Sequence, residues 1–155
     1  MRKILISIFI VIVIGIFAFF ADFPNRLSGE DRPLPLSYAT TTLLIGEDTL
    51  ILEIADTDQK RSLGLSGREG LASGTGMLFI FDEAGFHGFW MKDMRFVIDI
   101  AWLNDDFCIV TLARSLSPDT YPTAFIPDAP VRYAIEVPSG FLGLHNMSKG
   151  SCFDR

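Results

Sequence analysis

Lys92, Asp99 and Glu136 are the residues of this 155-residue chain best placed to do chemistry, because each interrupts a run of strand-forming apolar residues. Charges embedded in such runs are costly to bury alone. Lys92 follows Phe89-Trp90-Met91, Asp99 lies between Ile98 and Ile100, and Glu136 sits inside Tyr133-Ala134-Ile135-Glu136-Val137. Side chains alternate across a strand, so Asp99 shares a face with Val97, Ala101 and Leu103 and needs a cation or several donors. The three charges are expected to converge on Arg61 or Arg68, which a preceding helix and turn supply. Trp90, on the face of Lys92, adds a flat apolar surface suited to a ring. Arg61, Arg68, Trp90, Lys92, Asp99 and Glu136 therefore form the candidate ligand-binding cluster. Closed and fully paired, it would brace the fold; with Trp90 and a cation lining an open cleft, it would be a site.

Other chemistries find less support. The histidines His87 and His145 and the cysteines Cys108 and Cys152 lack zinc-ligand spacing. No G-x-S-x-G is present, and the glycines from Gly70 to Gly76 lack the Lys-Ser/Thr and helix of a phosphate loop. A Rossmann fingerprint is also missing, and no cofactor or metal is expected. Asp93, Asp99 and Glu136 could supply a carboxylate pair for glycoside cleavage, a minor alternative in an acidic chain. His87 reads more plainly as a structural hydrogen-bonding residue, and Phe89 as core.

Short β-rich runs position these residues. Thr40 to Ile45 and Thr49 to Ala55 read as a first hairpin split by Gly46-Glu47-Asp48. Asp56-Thr57-Asp58 offers helix-capping types ahead of a short helix at about 58–65. Met77 to Phe81 and Phe86 to Met91 predict a central hairpin about Asp82-Glu83-Ala84-Gly85. Strands at 96–104, 107–113 and 131–137 follow. A proline-rich loop at 115–130, either lid or strap, separates the last two. A short helix started by Ser139 and a terminal strand complete the chain. The pattern predicts a mainly β domain, a small sandwich or partly open barrel with one or two short helices.

Gly76-Met77-Leu78-Phe79, Phe89-Trp90-Met91-Lys92 and Asp99 follow Arg61, Gly64-Leu65 and Arg68, and precede Tyr133 to Val137 and Gly140. Over about residues 50–154 this set resembles the uncharacterised family called domain of unknown function 192, or DUF192. The resemblance implies a small, mainly β domain of bacteria and archaea with no established biochemical activity. Asp93 and Ser151 depart from the family pattern, which has Asn and Asp there.

Ahead of this domain, Arg2-Lys3 precede residues 4–21, an uncharged apolar block with only Ser7 polar. A helix of that length nearly matches a bilayer's hydrocarbon thickness. Residues 1–21 read as an uncleaved signal anchor, with a cleaved signal peptide as the alternative, because the cut sites after Ala18 and Ala21 lack small flanking residues. The basic residues would keep the N-terminus inside and send the rest outside the cytoplasm. Residues 22–37, with Pro24, Pro33 and Pro35, read as an extended linker to a single domain at 38–155. The chain carries 19 acidic and 13 basic residues, two of the latter being Arg2 and Lys3. So acidic a domain makes nucleic acid an improbable partner. In an oxidising compartment Cys108 and Cys152 are expected to pair. The reading that results is a membrane-tethered extracytoplasmic domain that binds a small polar ligand or envelope component without catalysing a reaction. Its alternatives are a structural or partner-binding accessory domain and a carboxylate hydrolase of envelope polymers.

Overall fold

The computed structural model describes residues 36–155; the apolar block and the linker up to residue 35 lie outside the described residues. β1 (Thr40–Ile45) and β2 (Asp48–Ala55) form the expected first hairpin. The chain then enters helix α1 (Asp58–Leu63), whose N-cap Thr57 accepts a hydrogen bond from Lys60 N through its side chain. Gly64 ends the helix with φ 51°, a conformation that favours glycine. This crossover returns the chain as β3 (Thr75–Gly85), parallel to β2. The remaining strands are β4 (Phe89–Trp90), β5 (Ile98–Leu103), β6 (Ile109–Leu116), β7 (Ala124–Phe125) and β8 (Val131–Pro138), followed by α2 (Phe141–Leu144).

The mainly β expectation holds, but the layering differs from a sandwich or barrel. Six strands form one mixed sheet in the order β1-β2-β3-β8-β5-β6, and β4 pairs with β7 in a separate two-stranded sheet. The helical crossover between β2 and β3 sets this arrangement, since parallel neighbours cannot be joined by a hairpin turn. Apolar clusters cover both sheet faces. Leu52, Leu78, Leu103, Ile135 and Leu142 belong to one, and Met77, Phe79, Ile100, Trp102 and Ala134 to the other. All six residues of β5 are consequently buried.

The predicted hairpin about residues 82–85 is not formed. β3 runs through Gly85, which pairs with Val131 after a register irregularity beyond Ile80. Asp82, Glu83 and Ala84 are exposed, so the polar break marks the strand's outer end rather than a turn. β4 then leaves the main sheet to pair with β7, which lies within the proline-rich segment. The Tyr121 ring meets Trp90 edge-on at 5.8 Å. That segment is a strap holding Phe89 and Trp90 in place.

Asp99 lies on the α2 face, fully buried. No cation reaches it among the described residues; it accepts backbone N–H groups of Ser115, Gly140 and Leu142 at 2.8, 3.0 and 3.2 Å. Ser139 does not cap α2: Gly140 is its N-cap residue and makes no side-chain cap bond, so Asp99 supplies the acceptor from across the sheet. The C-terminal segment closes the same face, with Phe153 buried and Asp154 bridged to Leu44. A disulfide joins Cys108 to Cys152, 44 positions apart, a closure worth about 4 kcal/mol in the chain-entropy account.

Asp99→Ala takes a shared acceptor from three backbone N–H groups, that of Leu142 being buried, and is expected to lower unfolding free energy by about 3–5 kcal/mol. Urea denaturation checks this, and a loss below about 1 kcal/mol would contradict the bracing role.

Candidate functional site

The other face carries an open cleft of about 880 Å³, within the size range of small-molecule sites. One rim is α1 and the turn after it; the other is the outer end of β3 with the segment leading into β4. The parallel crossover brings the C-terminal turn of α1 over Phe79 and Glu136 and so forms one rim of this space. Aromatic residues form much of the wall. Phe79 meets Phe89 edge-on at 4.8 Å, Phe89 meets Trp102 at 5.7 Å, and Phe81 stacks on His87 at 3.6 Å. The Trp102 indole N–H donates to the His87 carbonyl at 2.8 Å, and the His87 ring meets the Glu83 carbonyl at 3.0 Å. The segment bearing Trp90 is thereby fixed to the core, while Trp90 itself is 53% exposed.

Glu136 is among the lining residues and is only 5% exposed. Its register opposite Met77 and Ile100 turns it toward the apolar cluster that contains Phe79 and Ala134. A Cβ added at Gly64 would lie 3.4 Å from the Phe79 ring and 3.8 Å from Glu136 Oε2, placing this carboxyl beneath the end of α1. Oε2 has no hydrogen-bond partner. Burial raises the Glu136 pKa from 4.5 to about 8, with the Arg68 charge opposing the rise in part. At neutral pH this residue is a carboxylic acid, able to donate as well as accept.

The six residues named from sequence do not form one cluster. Arg61, Trp90 and Glu136 line the cleft. Arg61 acts chiefly as a clamp, donating to the Asp56 and Ile80 carbonyls at 2.9 and 2.7 Å and to Asp58 at 2.6 Å. Arg68 stands outside the lining in a two-point pair with Glu53 at 2.9 and 2.6 Å, its guanidinium 5.6 Å from the Tyr38 ring centre. Hydrogen bonding from Arg68 holds the Glu53 carboxyl below its usual range, and the same pair raises Arg68. Lys92 follows the end of β4, exposed, with its ammonium 5.9 Å from the Trp90 ring centre. Asp99 lies on the opposite sheet face. Convergence fails because backbone donors serve Asp99, solvent serves Lys92, and both expected arginines are occupied, Arg68 by Glu53 and Arg61 by Asp58 and two main-chain carbonyls.

Glu53 escaped the sequence reading, although it stood between Leu52 and Ile54 as Glu136 stands between Ile135 and Val137. Phe81, His87 and the Gly64 turn were missed as lining because sequence spacing does not show that the outer end of β3 stands across the cleft from the turn ending α1. Among the described residues no three His, Cys, Asp or Glu side chains gather as a metal-binding group, and no helix is long and apolar enough to cross a membrane.

The family model for DUF192, described as Uncharacterized ACR, matches residues 41–154. The chain belongs to DUF192. The match spans every strand from β2 to β8, and so includes both the Asp99 brace and the Glu136 cleft. Two solved structures share the DUF192 chain's fold. One, described as a candidate transcription regulator from Sinorhizobium meliloti 1021, is 26% identical with TM-score 0.72, covering 77% of this chain and 96% of its own. The other, a protein of unknown function from Novosphingobium aromaticivorans DSM 12444, is 21% identical with TM-score 0.68, covering 79% and 89%. Among curated proteins nothing matches.

The raised pKa of Glu136 makes stability depend on pH. In the unfolded chain the group ionises near 4.5, whereas in the folded chain it stays protonated to about 8. The folded state binds the extra proton across that window, so stability falls as pH rises from about 5 to about 8. Glu136→Gln removes this slope, and at pH 8 the variant should exceed the wild type by a few kcal/mol, on the order expected for relieving such a shift. Urea titrations at several pH values check this; parallel pH profiles for the two proteins would contradict it.

Proposed function

We propose that the domain binds a small polar ligand, or a component of the cell envelope, in the cleft above Glu136, and that it does so outside the cytoplasm behind a membrane-anchoring N-terminal segment. The observation that carries the reading is the buried carboxyl on the floor of an open cleft, with one oxygen unpartnered. Buried polar groups in folded proteins almost always have partners, and a ligand would supply the missing one. A purely structural role explains Asp99, whose donors are all internal, but leaves Glu136 unexplained. The hydrolase reading is weakened because Asp99 lies on the far face of the sheet from Glu136. The export reading draws support from the Arg2-Lys3 and apolar pattern and, more weakly, from the disulfide. The regulator description of the Sinorhizobium relative does not carry over easily, since a chain with 19 acidic against 13 basic residues repels nucleic-acid phosphates.

Thermal-shift screening of the full chain against small polar molecules is expected to yield ligands that raise its melting temperature. Glu136→Gln and Trp90→Ala should each abolish that rise while the protein stays folded. Shifts that persist in both variants would place binding elsewhere and overturn the cleft assignment. A phosphatase fused after Arg155 should be active in cells, and activity of a cytoplasm-only reporter at that position would contradict export.

A further inference from the structure

We infer that the ligand of this cleft is an organic cation, an amine whose ammonium group pairs with Glu136 while an apolar body rests against the aromatic wall. The inference rests on the binding role proposed above and adds the ligand's chemical class.

The charges around the cleft lead to it. Asp58, Asp82, Glu83 and Glu136 line the space with a single cation, Arg61. The Arg61 guanidinium is already shared by Asp58 at 2.6 Å and Asp82 at 3.6 Å, so the wall retains an excess of negative charge. The other nearby cations are engaged as well. Arg68 is held by Glu53, and Lys60 pairs with Asp56 at 2.8 Å. Glu136 is thus an acid whose natural counter-ion is missing from its own fold. An anionic ligand would meet three further carboxylates on the way in, whereas a cation is drawn toward the floor. Phe79, Phe81, Phe89 and Trp90 offer contact for an apolar body, and electron-rich ring faces tolerate a cation better than aliphatic walls do. Trp90 already does so for Lys92, whose ammonium stands 5.9 Å from the ring centre.

The proton balance follows from the pairing. Below pH about 8 Glu136 is protonated before binding. When an ammonium ligand enters, the Glu136 O–H bond breaks, its proton passes to solvent, and the carboxylate pairs with the ligand. No other reactant is needed. Binding therefore strengthens as pH rises toward the Glu136 pKa, by about fifty-fold between pH 6 and pH 8 for a single linked proton. The charged and titratable groups around Glu136 are Glu53 of β2, which like Glu136 pairs with Met77 in register, with its partner Arg68 and the neighbouring Tyr38, and, lining the same cleft, Asp58 and Arg61 from α1 and Asp82, Glu83 and His87 from β3 and the segment after it. Glu136→Gln removes the contribution of Glu136 alone and leaves these in place.

Calorimetric titration of the full chain in mild detergent with 2-phenylethylamine tests the inference, with 2-phenylethanol and phenylacetate as neutral and anionic comparators. The amine is expected to bind at least about tenfold more tightly than either comparator at pH 8, the scale of one added charged contact. At pH 6, runs in buffers of different ionisation enthalpy should show release of close to one proton per amine bound. Glu136→Gln, a neutral isostere of the protonated acid, should bind the amine no better than the alcohol and show no proton release. Equal or tighter binding of the alcohol or phenylacetate would overturn the cationic assignment while leaving a ligand-binding cleft. Amine affinity unchanged in Glu136→Gln, or no binding by any of the three probes at millimolar concentration, would also overturn it.

Discussion

The central strands of this domain have no face turned to water, and every charged residue within them must satisfy that constraint. β5 is buried along its whole length, and its neighbour β8 carries Ala134 to Val137 into the two apolar clusters. A carboxyl in such a strand either collects hydrogen bonds from the protein or gives up its charge. Asp99 takes the first course. By gathering N–H groups from the end of β6 and the start of α2, it ties together segments far apart in sequence. Glu136 takes the second, because its face of the sheet supplies aromatic and aliphatic neighbours and Arg68, whose charge reaches it, is held by Glu53. The same burial rule thus separates a brace from a candidate site.

The geometry of the cleft depends on the parallel β2–β3 pair. Because the crossover must carry the chain back to the start of β3, the C-terminal turn of α1 comes to rest over Phe79 and Glu136, and Gly64 supplies the positive φ of that turn. Gly76 performs a matching task within the sheet. A Cβ there would collide with the Glu136 carbonyl oxygen, so only glycine lets β3 lie against β8 at this point. On the far rim, β7 pairs with β4 and so secures the Trp90 segment. An aromatic wall on one side and a helix turn on the other keep the floor carboxyl enclosed without sealing the space above it.

Much of the fold was legible because local patterns decided it. Alternation and turn residues placed β1, β2, β5, β6 and β8 within a residue or two at most ends, and Asp56 to Gly64 marked α1 by its capping types and terminal glycine. The family resemblance likewise rested on motifs that survive in the matched region. What remained hidden was non-local. Asp82 to Gly85 has turn composition, yet pairing of Gly85 with Val131 keeps it in β3. The two-residue strands β4 and β7 exist only because the strap brings them together. That Asp99 and Glu136 face opposite ways follows from their strand registers, and which arginine meets which acid depends on positions that sequence spacing does not encode.

One proton, on Glu136, governs both the pH dependence of stability and the binding proposed for the cleft. Carbon-13 labelling of the glutamate side chains, with the Glu136 carboxyl signal assigned by its loss in Glu136→Gln, reads the state of that proton directly as pH is varied. The signal is expected to remain that of a protonated acid through neutral pH and to titrate with a midpoint at about 8. A midpoint at or below about 4.5, the range of an ordinary solvated glutamate, would mean that Glu136 is charged and solvated at the cleft floor, and would contradict the account.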